Sequence, residues 1–256
     1  MTPPRRRKNG IAMDIGDDQI ISVVLVLALL LLSRVRDLLD NSGLFAATIT
    51  GLTVSLLGHW TWLIALFIFL VIGSIATKWK LEEKKLLSLE EANEGLRSWK
   101  NVLANGGAVS IMAIYNFISP GEEWIYFAAI ASISVALSDT LASEIGSLDT
   151  RTRSITTLQS VPAGTNGGMS PTGTVAALIG AIIISIIGVI FSPEDSTISN
   201  INLLLMLTLI GWLGCQVDSL LGALLENRGY LGKHSVNFLA TFSGSLIAII
   251  FYYQFL

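Results

Sequence analysis

Two aspartates lie in otherwise apolar segments that are far apart in the chain. Asp139 belongs to SDTLASEIG at 138–146, and Asp218 belongs to QVDSLLGALLEN at 216–227. Ionisable side chains are costly to bury in a membrane, so in such segments they usually mark functional sites. Carboxylate oxygens favour Mg²⁺, which usually binds one or two carboxylates together with substrate phosphates. The two aspartates are therefore candidate metal ligands.

Glu144 is a third candidate metal ligand. It follows Asp139 in the same segment and points about 140° away from it on an ideal helix. It joins the same site only if the helix ends or unwinds near Gly146. Asp218 also belongs to a stripe of small residues at helical spacing with Gly211 and Gly214, which would let helices approach closely. A buried polar contact that merely fixes helix packing is the alternative for both aspartates.

Residues 150–174, TRTRSITTLQSVPAGTNGGMSPTGT, have the composition of an anion-binding loop. The glycines can expose several backbone N–H groups, and Arg151 and Arg153 are candidate phosphate ligands. The loop leads into an apolar segment, so it ends at a helix N-terminus, which favours anions. It is not a Walker A loop, and the chain has no GxGxxG motif. The loop residues that we expect to bind phosphate are Gly164, Thr165, Asn166, Gly167, Gly168 and Ser170.

Two further polar clusters lie at the ends of apolar segments. The first, NVLANGG at 101–107, contains Asn105 and follows Lys100, and we expect both residues to contribute to phosphate binding. The second occupies 226–237.

No histidine has a partner at the spacing of metal ligands, so a histidine zinc site is not expected. The single cysteine excludes an internal disulfide.

Composition indicates an integral membrane protein. The chain has 256 residues, of which 52% are hydrophobic and 14% are charged, whereas roughly 25% are charged in ordinary soluble domains. The apolar residues fall in long blocks typical of transmembrane helices. A soluble enzyme, a nucleic-acid binder and a disordered chain are thereby excluded.

We predict an all-α, polytopic transmembrane bundle with about eight spans and no separate soluble domain. At about 20 residues each, eight spans leave mainly short connections, so any chemistry must use helix ends and loops. The organisation is an N-terminal tail at 1–17 and one transmembrane catalytic domain at 18–256. The predicted spans lie near 18–34, 43–58, 60–77, 102–119, 124–143, 173–191, 201–222 and 236–256.

Lysine and arginine are distributed unequally between the two sides of this bundle. The loops after the odd-numbered spans carry twelve of the 16 Lys and Arg residues, and the N-terminal tail on the opposite side carries the other four. By the positive-inside rule we expect these loops to be cytoplasmic, although the basic tail argues weakly for the reverse. We call this the basic side, and both aspartates are expected there. The main loops on it are predicted near 78–101, 144–172 and 223–235.

Residues 81–100 form the longest of these connections. Their leucines alternate with charges at spacings compatible with a helix that lies at the membrane interface. Trp79 and Trp99 would anchor its ends among the lipid headgroups. A solvated linker helix is the alternative.

Together these groups suit phosphoryl transfer at a membrane surface. Such transfer depends mainly on positioning and charge neutralisation, which acids with Mg²⁺, a glycine-rich loop and arginines can provide. Basic groups would hold a nucleotide from the cytoplasm, while apolar grooves between spans would hold a lipid tail.

Four segments also resemble the signature motifs of the phytyl-phosphate kinase family, which includes animal transmembrane protein 19. They are SDTLASEIG, VPAGTNGGMSPTGT, NVLANGG and DSLLGALLE, and the resemblance extends from about Arg97 to the end of the chain. It implies a polytopic, Mg²⁺-dependent kinase that converts a prenyl monophosphate such as phytyl or geranylgeranyl phosphate to the diphosphate. The family's relation to lipid cytidylyltransferases and CTP-using polyprenol kinases implies CTP as the favoured donor.

The resemblance also assigns roles to individual residues. It implies that Asp139, Asp218 and Arg153 are catalytic, and that Asp139, Glu144 and Asp218 bind the metal. The glycine-threonine-asparagine loop at 164–168 and Asn105 correspond to family motifs for the nucleotide or phosphate. The family's last, asparagine-rich motif is degenerate here as HSVN at 234–237, so the role of that loop stays open.

Three other functions stay open from the sequence alone. A cytidylyltransferase that uses CTP and a lipid phosphate would need the same groups. An ion-coupled transporter also carries acids within its spans, but these acids cluster at one surface and the two halves show no evident repeat. A purely structural membrane protein would leave this clustering unexplained. The expected partners are a lipid phosphate, a nucleotide and the membrane, without nucleic acid; a homo-oligomer stays open.

Overall fold

A computed structural model of the protein describes residues 15–89, 95–194 and 196–255. Within them the chain forms helices and one very short hairpin. The elements are α1 (Ile15–Val35), α2 (Asn41–Thr53, continued by a π-helical turn at Val54–Gly58), α3 (Trp60–Lys78), α4 (Leu81–Leu86), α5 (Trp99–Ile118), α6 (Glu123–Gly146), β1 (Arg153–Ser154), β2 (Gly168–Met169), α7 (Pro171–Ile190), α8 (Asn200–Leu221, continued by a π-helical turn at Gly222–Glu226) and α9 (Lys233–Phe255).

Eight of these helices are long and apolar enough to cross a membrane. They are all the helices except α4, with the π-helical turns counted as parts of α2 and α8. The prediction of an all-α bundle of eight spans is confirmed, and the described residues form no separate soluble domain. The basic N-terminal tail up to residue 14 and residues 90–94 of the long connection lie outside the described residues.

The helix α6 forms the centre of the bundle. It contacts α3, α5, α7, α8 and α9, and nineteen of its 24 residues are buried. It continues three residues beyond the predicted end at 143, because its last turn buries Glu144 and Gly146 against neighbouring segments. The helices α1 and α2 lie at the edge, where α1 packs mainly on α2 and α3.

Glycines allow α7 and α8 to lie very close to α6. A Cβ added to Gly180 of α7 would lie 2.9 Å from the carbonyl oxygen of Leu137. A Cβ added to Gly211 of α8 would overlap the hydroxyl of Ser134. That hydroxyl donates a 3.2 Å hydrogen bond to the carbonyl of Leu207, so α6 and α8 are joined by a polar contact as well as by close packing.

We expect Gly211→Ala to destabilise the bundle. The added methyl group would collide with Ser134 on the buried helix α6, and overpacking of this kind costs about 1–3 kcal/mol. Thermal unfolding of the purified protein in detergent measures the effect. Gly16→Ala is the matched control because Gly16 lies in α1 with open space around it. Equal unfolding midpoints for the two variants would contradict the close packing of α8 on α6.

Candidate active site

A polar cleft opens between the ends of α6, α7, α8 and α9 that face the basic side. Its volume is about 310 Å³, and the loop between α6 and α7 covers part of it. Residues 88 and 89, just after α4, form another part of its wall. Nine of the twelve residues that we expected at the site line this cleft: Asp139, Glu144, Gly164, Thr165, Asn166, Gly167, Gly168, Ser170 and Asp218.

Asp139 and Asp218 face each other in the cleft, and the packing of two parallel helices puts them there. Gly214 of α8 packs against the side chain of Val135 of α6. Four residues further along each helix, about one turn, lie Asp218 and Asp139, on the same faces as the packed pair. Their carboxyl groups come within hydrogen-bonding range of each other.

The environment of the aspartate pair suits a cation. Two ionised carboxylates at this separation repel each other strongly, so the pair requires a shared proton or a bound cation. Asn237 of α9 donates a 3.5 Å hydrogen bond to Asp139. The Oδ2 atom of Asp218 is buried, and no hydrogen-bond partner for it occurs among the described residues. An oxygen in this situation fits a ligand for Mg²⁺.

The described residues contain no group of three or more His, Cys, Asp or Glu side chains placed to hold a metal ion. The aspartate pair would therefore supply only part of a coordination sphere. This fits Mg²⁺, which usually retains water and binds through one or two carboxylates together with substrate phosphates.

The glycine loop, residues 164–170, is held against the end of α8. A Cβ added to Gly167 would lie 2.7 Å from the carbonyl oxygen of Ser219, and Gly167 has φ +75°, a conformation that favours glycine. Asn227 donates a 3.1 Å hydrogen bond to the carbonyl of Asn166. The strand β2 lies within this loop and pairs with β1. These contacts place the loop beside Asp218.

The N–H groups in the first turn of α7 are already hydrogen-bonded within the chain, and the carboxylate at this helix N-terminus is that of Asp149. The N–H of Gly173 donates to the hydroxyl of Ser170 at 3.1 Å, and the N–H of Thr172 donates to Asp149 at 3.2 Å. Hydrogen bonds from Arg151 and Thr172 hold the pKa of Asp149 well below its usual range. Asp149 is therefore an ionised cap near neutral pH, and phosphate binding by the loop residues stays a prediction.

Glu144 lies at the wall of the cleft in a buried ion pair. Its carboxylate accepts a 2.6 Å hydrogen bond from the ammonium group of Lys84 and a 3.0 Å hydrogen bond from Thr77. Lys84 also donates to the carbonyls of Ala76 and Thr77. Both carboxylate oxygens of Glu144 are thus already hydrogen-bonded, and its metal-binding role stays a prediction.

The pairing of Lys84 was missed because nothing in LEEKK distinguishes it from its charged neighbours. We expected 81–100 to form an interfacial helix or a solvated linker helix, and neither extends over the whole segment, because residues 87–89 and 95–98 lie outside α-helices. The helix α4 covers only Leu81–Leu86 and is fastened to α3 and α6 through Lys84. Lys80, which has a left-handed φ of +52°, separates α4 from α3.

Three expected residues lie outside the polar cleft. Arg153 is exposed and donates a 3.2 Å hydrogen bond to the carbonyl of Leu158. Lys100 is exposed, with its ammonium group 5.9 Å from the ring of Trp99. Asn105 lines a smaller cavity that borders the cleft at Asp139. Their phosphate-binding roles stay predictions.

The structure adds residues from the last loop, to which the sequence had assigned no role. Lys233, at the start of α9, lines the cleft and is close enough to Asp218 and Glu226 for Coulombic attraction. Asn237 contacts Asp139, which gives the degenerate HSVN segment a place at the site. Asn237 could be noted from the sequence, but its contact with Asp139 could not.

We expect Lys84→Met to destabilise the protein strongly. Removing one member of a buried ion pair leaves the other charge uncompensated, at a cost of about 3–5 kcal/mol. Thermal unfolding in detergent measures the loss, and Lys84→Met combined with Glu144→Leu should recover a large part of it. The control is Lys85→Met, since Lys85 pairs with Glu82 at the surface, where ion pairs contribute little. If the two lysine variants unfold alike, the Lys84–Glu144 pair does not fasten α4.

Comparison with known proteins gives one family and several relatives. The family model described as Integral membrane protein DUF92 matches residues 24–245. Uncharacterized membrane protein MJ0933 of Methanocaldococcus jannaschii is 34% identical over 233 residues, which are 91% of this chain and 93% of that protein. No solved structure matches the chain.

Two further relatives come from photosynthetic organisms. Uncharacterized membrane protein sll0875 of Synechocystis is 30% identical over 218 residues, which cover 84% of this chain and 83% of that protein. Protein VTE6, chloroplastic, of Arabidopsis thaliana is 27% identical over 226 residues, which cover 79% of this chain and 66% of that protein. In all three relatives the similarity extends over most of the present chain.

Proposed function

The chain belongs to the DUF92 family of integral membrane proteins, and we propose that it is a membrane-embedded kinase. In this proposal it transfers the terminal phosphoryl group of a nucleoside triphosphate, CTP in the first instance, to a prenyl monophosphate such as phytyl or geranylgeranyl phosphate. The products are the prenyl diphosphate and the nucleoside diphosphate.

The observation that carries the proposal is the meeting of Asp139 and Asp218 at the end of the bundle. The two residues come from separate spans, and the Oδ2 atom of Asp218 is buried with no hydrogen-bond partner among the described residues. A transporter would be expected to place such acids near the middle of its spans, whereas both acids here lie in the last third of their helices.

The motifs that resemble the phytyl-phosphate kinases also support the proposal, because they meet in space. The segments with Asp139 and Asp218 and the glycine loop line one cleft. The segment with Asn105 lines the small cavity that adjoins it at Asp139. A cleft built from carboxylates, exposed loop backbone and a lysine suits the phosphates of a nucleotide and an acceptor.

In the proposed reaction an oxygen of the acceptor phosphate attacks the γ-phosphorus of the nucleotide. The new bond joins that oxygen to the γ-phosphorus, and the bond from the γ-phosphorus to the β–γ bridging oxygen breaks. The acceptor is already ionised near neutral pH, so the chain need not supply a strong base. The glycine loop and Lys233 would hold and orient the phosphates. Mg²⁺ held by Asp139 and Asp218 would neutralise charge on the β- and γ-phosphates.

The test is a transfer assay on the purified protein in detergent. We would supply Mg²⁺, a panel of nucleoside triphosphates, and phytyl, farnesyl or geranylgeranyl monophosphate, and detect the diphosphate by mass spectrometry. Asp139→Asn and Asp218→Asn should each lower the rate about 100-fold or more, because each removes a carboxylate that would hold Mg²⁺ and so weakens the positive charge that stabilises the transferring group. Asp37→Asn is the control, since Asp37 is exposed in the loop after α1.

The nucleotide product distinguishes a kinase from a cytidylyltransferase. Nucleoside diphosphate supports the kinase, whereas pyrophosphate and a CDP-lipid would replace it by the cytidylyltransferase that uses the same groups. Absence of turnover with every nucleotide and lipid, from protein with a cooperative unfolding transition, would overturn the proposal. An equal loss of activity in all three variants would contradict the role of the aspartate pair.

A further inference from the structure

A second cavity lies between α1, α2, α3 and α5. We call it the apolar groove. It has a volume of about 80 Å³, and almost all of its wall is hydrocarbon. Side chains from all four helices contribute, among them Val26, Leu30, Ala47, Leu63, Phe67 and Val102. The helix α1 forms its outer wall, and the groove contains none of the residues assigned above to phosphate or metal.

One end of the apolar groove is formed by Arg97. This side chain is only 4% exposed, and its guanidinium group lies 5.0 Å from the ring centre of Phe69. A Cβ added to Gly73 of α3 would lie 2.6 Å from a guanidinium nitrogen of Arg97. The guanidinium group therefore occupies the space that a side chain at position 73 would otherwise fill.

Arg97 and Asn101 belong to two cavities at once. They line the apolar groove and also the small polar cavity that contains Asp139 and Asn105. In that small cavity the Oδ1 atom of Asn105 is buried and has no hydrogen-bond partner among the described residues. Arg97 and Asn101 thus lie between the apolar groove and the cavity that contains Asp139.

We propose that the apolar groove holds the hydrocarbon tail of the lipid phosphate, and that Arg97 binds its phosphate group next to Asp139. The inference rests on the proposed function and specifies where the acceptor lies. It places the acceptor phosphate on the α5 side of the aspartate pair and leaves the glycine loop, on the α8 side, for the nucleotide.

The guanidinium group of Arg97 suits the phosphate group of such a lipid, and the hydrocarbon wall of the apolar groove suits its tail. A guanidinium group binds phosphate oxygens through two parallel N–H donors. From Leu70 back to Leu63 the wall follows α3 for about 10 Å, which leads into the hydrocarbon region of a membrane. A tail in the groove therefore lies at the depth where apolar chains reside.

Photocrosslinking tests this placement without requiring turnover. The probe is farnesyl monophosphate with a diazirine at the far end of its tail, added without nucleotide to the protein in nanodiscs, followed by peptide mapping. We expect labelled peptides from 26–30 and 63–70. Unlabelled geranylgeranyl monophosphate should compete with the probe, whereas phosphatidylcholine should not.

Two variants separate the tail site from the phosphate site. Ala47→Phe places a ring in the groove and should reduce labelling about tenfold, equivalent to about 1.4 kcal/mol of binding free energy. Ala28→Phe is the matched control because Ala28 is exposed on α1 and does not line the groove. Arg97→Lys should weaken labelling by the monophosphate but leave labelling by the corresponding diazirine alcohol unchanged. Unfolding midpoints identify any variant that fails to fold.

The outcomes distinguish this inference from the proposed function. Labelling confined to peptides of α6 to α9, or equal labelling of Ala47→Phe and Ala28→Phe, would overturn the groove as the tail site even if the kinase is active. Competition by phosphatidylcholine would show a site for bulk membrane lipid and would also overturn it. Specific labelling in the groove by a protein without transfer activity would support the binding site and reject the kinase.

Discussion

The close approach of α8 to α6 is the contact on which the site depends. Gly211 and Gly214 leave no side chain between the two helices, so Ser134 and Val135 of α6 touch the backbone of α8. Because the helices are parallel, the same relation continues one turn further and brings Asp218 to Asp139. Two carboxylates could not remain this close without the packing around them, since their mutual repulsion would separate them unless a proton or cation intervened.

The polar groups of the protein are distributed according to the cost of charge in an apolar surrounding. The two aspartates, the glycine loop and Lys233 gather at one end of the bundle, while the opposite end is left with contacts such as that of Glu123 with Thr197. The cost of burying charge is also reduced in the pair of Lys84 and Glu144, but in a different way. There the charges are satisfied by each other and by backbone carbonyls, so the pair stabilises the wall of the cleft and leaves little capacity for a ligand.

The polar cleft and the apolar groove divide the ligand chemistry between two groups of helices. Four helices and the glycine loop surround the cleft, whereas α1, α2, α3 and α5 surround the groove. Arg97 and Asn101 lie where the two regions approach each other. A substrate with a charged head and an apolar tail matches this arrangement, because a phosphate and a hydrocarbon chain require opposite surroundings.

The eight spans, the two aspartates and the glycine loop were predictable from the amino-acid sequence, because length, hydropathy and a charge in an apolar segment are properties of each segment alone. Which polar groups meet could be seen only in the folded bundle. Lys84 pairs with Glu144 across 60 residues, Asn237 contacts Asp139 across 98 residues, and Arg153 stays outside the cleft. Such contacts depend on the rotation and depth of each helix relative to its neighbours, and these are set by packing of the whole bundle.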